Sequence, residues 1–87
     1  MNQHEKLLLK ILRGQSDANI PFSAVCALLL YLGFEERIKG SHHVFRKAGV
    51  EEKVNVQKDG NLTKGYQIRQ IRQVILRNRL GGLNHDE

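Results

Sequence analysis

The chain has 87 residues, of which 40% are hydrophobic and 26% charged, with 8 Gly, 1 Pro and no Trp. That is the composition of one small globular domain, and it leaves no room for a nucleotide-binding sheet, a large cofactor cradle or a second catalytic domain. Fourteen Lys and Arg against nine Asp and Glu give a formal net charge of +5, which on so small a body favours an anionic partner, nucleic acid first among them.

Cys26 is the only cysteine, so an intrachain disulfide is excluded and a reducing compartment suits the count. The opening residues, Met1-Asn2-Gln3-His4-Glu5-Lys6, lack the basic-then-apolar order of a signal peptide. The longest apolar run, 24–32, is well short of the roughly 18 residues a membrane span needs. The expectation is a cytoplasmic protein with no membrane partner.

Leu7, Leu8, Ile11 and Leu12 recur at helical spacing and predict a short first helix ending at Gly14. After a polar turn, Pro21 suits the first turn of a second helix that carries Phe22, Val25, Leu28, Leu29 and Leu32 and stops at Gly33. Three strands follow, over 34–39, 41–47 and 53–57, the first two joined through Gly40 and the last alternating strictly as Lys53-Val54-Asn55-Val56-Gln57. Residues 58–61 read as a loop. A final helix has Ile68, Ile71, Val74 and Ile75 as its apolar stripe. The order implies an α+β fold, a small three-stranded antiparallel sheet with helices packed on one face. One domain spans 1–87, divided into an accessory helix at 1–14, a core at 20–80 and a flexible tail at 81–87.

Side chains alternate across a strand, so parity assigns the two faces. Phe45 carries the largest apolar surface of its strand and goes inward, taking His43 with it and turning His42, Val44 and Arg46 outward. Val54 and Val56 go in, leaving Lys53, Asn55 and Gln57 out. Phe34 and Ile38 go in, leaving Arg37 and Lys39 out, and Glu36 fits its inward parity poorly. The open face therefore gathers Arg37, Lys39, His42, Arg46 and Lys53, a basic surface with one imidazole in it; the plainer alternative is an ordinary solvated sheet face.

Gly40-Ser41-His42-His43 is the chemically densest stretch. Adjacent His residues on a strand point to opposite faces and do not share a metal, and Cys26 falls inside a helix, so no metal site is expected. Ser41 has no positioned acid or oxyanion hole for a nucleophile triad. Imidazole titrates near neutrality and suits proton transfer at a phosphodiester, with the surrounding cations holding phosphate. RNA brings its own nucleophile, the 2′-hydroxyl, so such chemistry needs no cofactor. Lys64, just before the last helix, is a further candidate phosphate contact. Tyr66 suits packing at the helix start, with base stacking as the alternative; Arg69, Arg72, Arg77 and Arg79 make the last helix basic, some placed to grip RNA and others to flank the apolar stripe; and Cys26 fills core space.

The segments Leu29-Leu30-Tyr31-Leu32-Gly33-Phe34, Lys39-Gly40-Ser41-His42-His43-Val44-Phe45-Arg46, Val54-Asn55-Val56-Gln57, Gly60, Lys64 and Tyr66-Gln67-Ile68-Arg69-Gln70 together resemble the HicA family of toxins from bacterial toxin–antitoxin pairs. The resemblance covers most of 22–76 in the expected order. It implies a fold similar to the double-stranded-RNA-binding domain, mRNA interferase activity through a His of the Gly-Ser-His-His strand, and neutralisation by a HicB-type antitoxin. By position the family's Gly and His fall on Gly40 and His42, with His43 the second candidate and Ser41 completing the turn. The chain departs from the shortest members by the extra helix around 4–13. It also shows Gln57-Lys58-Asp59-Gly60 where many members have a His-Pro stretch, so no substrate preference is carried over.

Two functions follow as expectations. One is a metal-independent endoribonuclease with RNA and an antitoxin as partners; the alternative is a non-catalytic RNA-binding module of the same fold. A DNA-binding helix-turn-helix protein is disfavoured by three predicted strands.

Overall fold

The computed structural model describes residues 2–82. Helix α1, Gln3–Arg13, starts from a capping box in which the Asn2 side chain accepts from the Glu5 N–H at 2.8 Å and Glu5 accepts in return from the Asn2 N–H at 3.2 Å. Leu8 and Ile11 are its buried stripe. Helix α2, Phe22–Tyr31, buries Phe22, Val25, Leu28 and Leu29, and Pro21 stands at its N-cap rather than inside its first turn. It ends in a Schellman motif: the Gly33 N–H donates to the Leu30 carbonyl and the Phe34 N–H to the Leu29 carbonyl, both at 3.0 Å. The motif requires the positive φ of +98° that Gly33 supplies.

Strands β1 (Glu35–Lys39), β2 (His42–Arg46) and β3 (Val54–Val56) form one antiparallel sheet in that order. Lys39 lies opposite His42, Arg37 opposite Val44, and Val44 opposite Asn55. The two-residue turn between β1 and β2 needs positive φ at its first position, and Gly40 has it at +59°. Helix α3, Gly65–Arg77, buries Gln67, Ile68, Ile71, Val74 and Ile75. The core joins the four apolar side chains of this set to those of α1 and α2 and to Phe34, Phe45, Val54 and Val56. The fold is α+β with the helices over one face of the sheet, as the element order implies.

Four details differ from the sequence reading. Residues 58–63 contain a second, two-stranded ribbon, β4 (Lys58–Asp59) with β5 (Leu62–Thr63), instead of a plain loop. It is held by bonds distant in sequence: the Phe22 N–H donates to Asn61 and the Thr63 N–H to Ile20, each at 2.9 Å. Strand β3 stops at Val56 because the Gln57 N–H is taken by the side-chain oxygen of buried Gln67 at 2.9 Å, outside the ladder. Ile38 keeps its inward parity opposite His43 but is 59% exposed, β1 being an edge strand of the sheet. Finally, a short 3-10 turn covers Leu80–Gly82 and so runs into the segment read as a tail, while Leu80, the last residue of the 20–80 core, packs against that core; residues 83–87 lie outside the described residues.

The basic last helix is partly committed to the fold. Arg72 makes a bidentate pair with Asp17, closest at 2.6 Å, and donates to the Ile11 carbonyl at 3.3 Å, which ties α3 to the segments around α1. Arg77 pairs with Glu52, which also accepts from Asn78. Bonds from its own backbone N–H, from Asn78 and from Arg77 hold the Glu52 carboxyl below the usual carboxylate range. Because the folded value is depressed, this contribution to stability is present above the ordinary pKa and is lost as pH falls through the folded one. Among the described residues no helix is long and apolar enough to cross a membrane.

Arg72→Ala leaves Asp17 and the Ile11 carbonyl short of a donor in a largely buried setting, and urea unfolding should show a loss of about 2–3 kcal/mol; Arg77→Ala, at an exposed pair, should cost clearly less. By the same measurement Ile38→Thr should change stability by less than about 0.5 kcal/mol, whereas Phe34→Ala should cost about 3 kcal/mol or more.

Candidate nucleic-acid interface on the open sheet face

Burying Phe45 and pairing it with Val54 fixes which side chains the sheet presents outward. On that side Arg37, Lys39, His42, Val44, Arg46, Lys53 and Asn55 line one shallow depression of about 330 Å³. Arg37 and Lys39 come from β1, His42, Val44 and Arg46 from β2, and Asn55 from β3, with Lys53 just ahead of it. His42 is exposed and lies directly across from Lys39. Gly40 and Ser41 are exposed in the turn at this end and set the register that brings the pair together. Val44 gives the floor an apolar patch between cations.

All five charged or titratable residues expected on the open face are thus found together. Glu35 was not anticipated there: it has the same parity as Arg37, lies opposite Arg46, and borders the neighbouring hollow with Arg37, Val44 and Arg46. The alternation that placed Arg37 and Lys39 outward already implied it. Four cations against one carboxylate leave the face strongly positive. Among the described residues, none of the four cations makes an ion pair within the chain.

The structure does not bring Lys64 to this surface. Lys64 is the N-cap of α3, on the helical side, where its carbonyl accepts from the Gln67 and Ile68 N–H groups. Gln57 does not line the depression either, its backbone being drawn to Gln67. Tyr66 is 55% exposed, so it does not pack at the helix start as expected; its position falls outside the buried stripe 68, 71, 74, 75.

His43 occupies a different environment. Its Nδ1 is 2.7 Å from Glu36 Oε2, and its ring meets Phe22 edge-on with centroids 4.8 Å apart. Glu36, the residue that fitted its parity poorly, is thus accommodated on the inner side by the imidazole. Lys58 lies over the Phe22 ring at 5.6 Å from its centroid. Burial, reinforced by the Glu36 charge and partly offset by Lys58, pushes the Cys26 thiol up to about 11. Adjacent histidines therefore serve two separate faces.

Compared with known proteins, the chain matches no family model, and no curated protein and no solved structure is significantly similar to it.

If the open face is an anion site, titrating inorganic phosphate into labelled protein should shift the amide resonances of Arg37, Lys39, His42, Arg46 and Lys53 and leave those of Lys64 and Arg69 in place. Shifts spread evenly over all cationic residues would show that the depression has no preference for anions.

Proposed function

We propose that the chain is a metal-independent endoribonuclease, the toxin of a HicA/HicB-type toxin–antitoxin pair acting on mRNA in the cytoplasm. The observation that carries this reading is the imidazole of His42 set among Arg37, Lys39, Arg46 and Lys53 on a sheet face that none of the described helices covers. The sequence resemblance points to the same His. The single cysteine and the absence, among the described residues, of a helix able to cross a membrane accord with the cytoplasm.

On this reading a phosphodiester lies in the depression with its non-bridging oxygens on the guanidinium and ammonium groups. His42 takes the proton of the 2′-hydroxyl as it attacks the adjacent phosphorus, or gives a proton to the departing 5′-oxygen, and solvent makes the complementary transfer. Lys39, directly across from His42, and the flanking arginines hold the added negative charge of the transition state. The product ends are a 2′,3′-cyclic phosphate and a free 5′-hydroxyl. Val44 offers an apolar surface for a base or ribose, and Asn55 a hydrogen-bonding amide. His43, the second candidate, faces the inner side with Glu36, away from these cations. An antitoxin of acidic character covering the same face would neutralise the toxin by excluding RNA.

Cleavage of a single-stranded RNA in EDTA tests this directly. His42→Ala should lower the rate by about 10²–10⁴-fold while RNA binding persists, and His43→Ala should fall far less. Binding without cleavage by wild type would leave a non-catalytic RNA-binding module, and loss of activity in EDTA would reject acid–base catalysis without a metal. With four cations engaged on a single strand, the plot of log affinity against log salt should have a slope of about −3, and Arg46→Gln should reduce its magnitude by about 0.7. Expression in a bacterial host should arrest growth, relieved by His42→Ala and by co-expression of the adjacent open reading frame, whose product should co-purify.

A further inference from the structure

Under the sheet, on the side opposite His42, three side chains from three different elements converge. Cys26 comes from α2, Glu36 from β1 and His43 from β2, and one ligand atom of each lies within 4.8 Å of the other two. All three are partly buried. We propose that Cys26, Glu36 and His43 form a binding site for a thiophilic divalent cation of the Zn²⁺ type, with solvent completing a four-coordinate shell.

The donor set selects the ion. One thiolate sulfur, one imidazole nitrogen and one carboxylate oxygen are the ligands of zinc, whereas calcium and magnesium take oxygen alone. Four-coordinate zinc, with bonds of about 2.0–2.3 Å, brings its ligand atoms to about 3.3–3.8 Å from one another. The cluster therefore has to close by about 1 Å at its widest, a side-chain rotation rather than a change of fold. The Glu36–His43 bond of 2.7 Å already holds two of the ligands together. Binding exchanges that bond for two metal bonds.

Adjacent histidines on a strand cannot share a metal, and Cys26 lies inside a helix, but neither fact prevents the site. Only His43 is used, Cys26 lies on the side of α2 facing the sheet, and the third ligand is the carboxylate whose inward parity had no explanation. The charged groups around the thiol are Glu36, which favours a cation, and Lys58, which opposes one. The thiol must give its proton to the solvent as the Cys–metal bond forms, so affinity should rise with pH. The ion sits across the sheet from His42, and the inference is independent of the ribonuclease reading.

Untagged full-length protein titrated with Co²⁺ as a spectroscopic probe, then with Zn²⁺, tests the site. The expected result is a saturable sulfur-to-cobalt charge-transfer band at one ion per chain, displaced by Zn²⁺ and unchanged in His42→Ala. Cys26→Ser should abolish the band. Glu36→Gln and His43→Gln should each weaken binding by more than the roughly ten- to hundredfold typical of losing an outer-shell partner. Wild type without a charge-transfer band, or a band that persists in Cys26→Ser, overturns the proposal. Should Cys26→Ser unfold the chain, alkylation of the wild-type thiol by iodoacetamide decides: Zn²⁺ should slow it strongly, and an unchanged rate overturns the site.

Discussion

Phe45, at the fourth position of the central strand, is wholly enclosed between the sheet and the helices. A strand cannot bury one side chain without committing its neighbours, since successive residues alternate between faces. Enclosing Phe45 turns His43 toward the helices and His42, Val44 and Arg46 away from them. Pairing then carries the choice outward: Val54 opposite Phe45 sends Asn55 to the outer face, and Val44 opposite Arg37 fixes the outer residues of β1. A slip of one residue would bury Arg46 and expose Phe45, costing a desolvated guanidinium as well as a lost core aromatic. The register is specified by that difference, and the site inherits its geometry from the register.

This dependence explains why the open face could be read from sequence. Parity needs only one unambiguous inward residue per strand, and Phe45, Val54 and Phe34 provide one each. The helices were legible for a similar reason, because their apolar positions repeat at helical spacing and their ends carry Gly14, Pro21 and Gly33. What parity does not supply is the extent of the cover. Ile38 has the inward parity of a core residue and is nevertheless exposed, on an edge strand with a neighbour on one side alone. Tyr66 escaped for a related reason: proximity to a helix start says nothing about which side of the stripe a residue occupies.

Features fastened by contacts distant in sequence were also hidden. The ribbon at 58–63 has two residues per strand, too few for any periodic signal, and is fixed by backbone bonds to Ile20 and Phe22. Gln67 carries no local mark of burial, yet its side chain caps the end of β3 and so places the boundary of the sheet. Arg72 looks like any other cation of a basic helix until Asp17, distant in sequence, is seen to receive it. In each case the residue type was visible and the partner was not.

The positive field of the outer face follows from where the acids are used rather than from the number of bases. Glu5 caps α1, Asp17 holds Arg72, Glu36 meets His43, and Glu52 takes Arg77 and Asn78. Four carboxylates are thereby spent on joining segments or closing helix ends, each close to a specific donor. Among the described residues the cations of the open face receive no such partner, and Glu35 is the one carboxylate beside them. A net charge of +5 spread evenly over the surface would give only weak, nonspecific attraction. Among the described residues Arg72 and Arg77 are paired in this way, and the open face is set apart by its local excess of four cations over one carboxylate around the exposed imidazole of His42. The same allocation that stabilises the fold therefore shapes the surface on which an anion would be held.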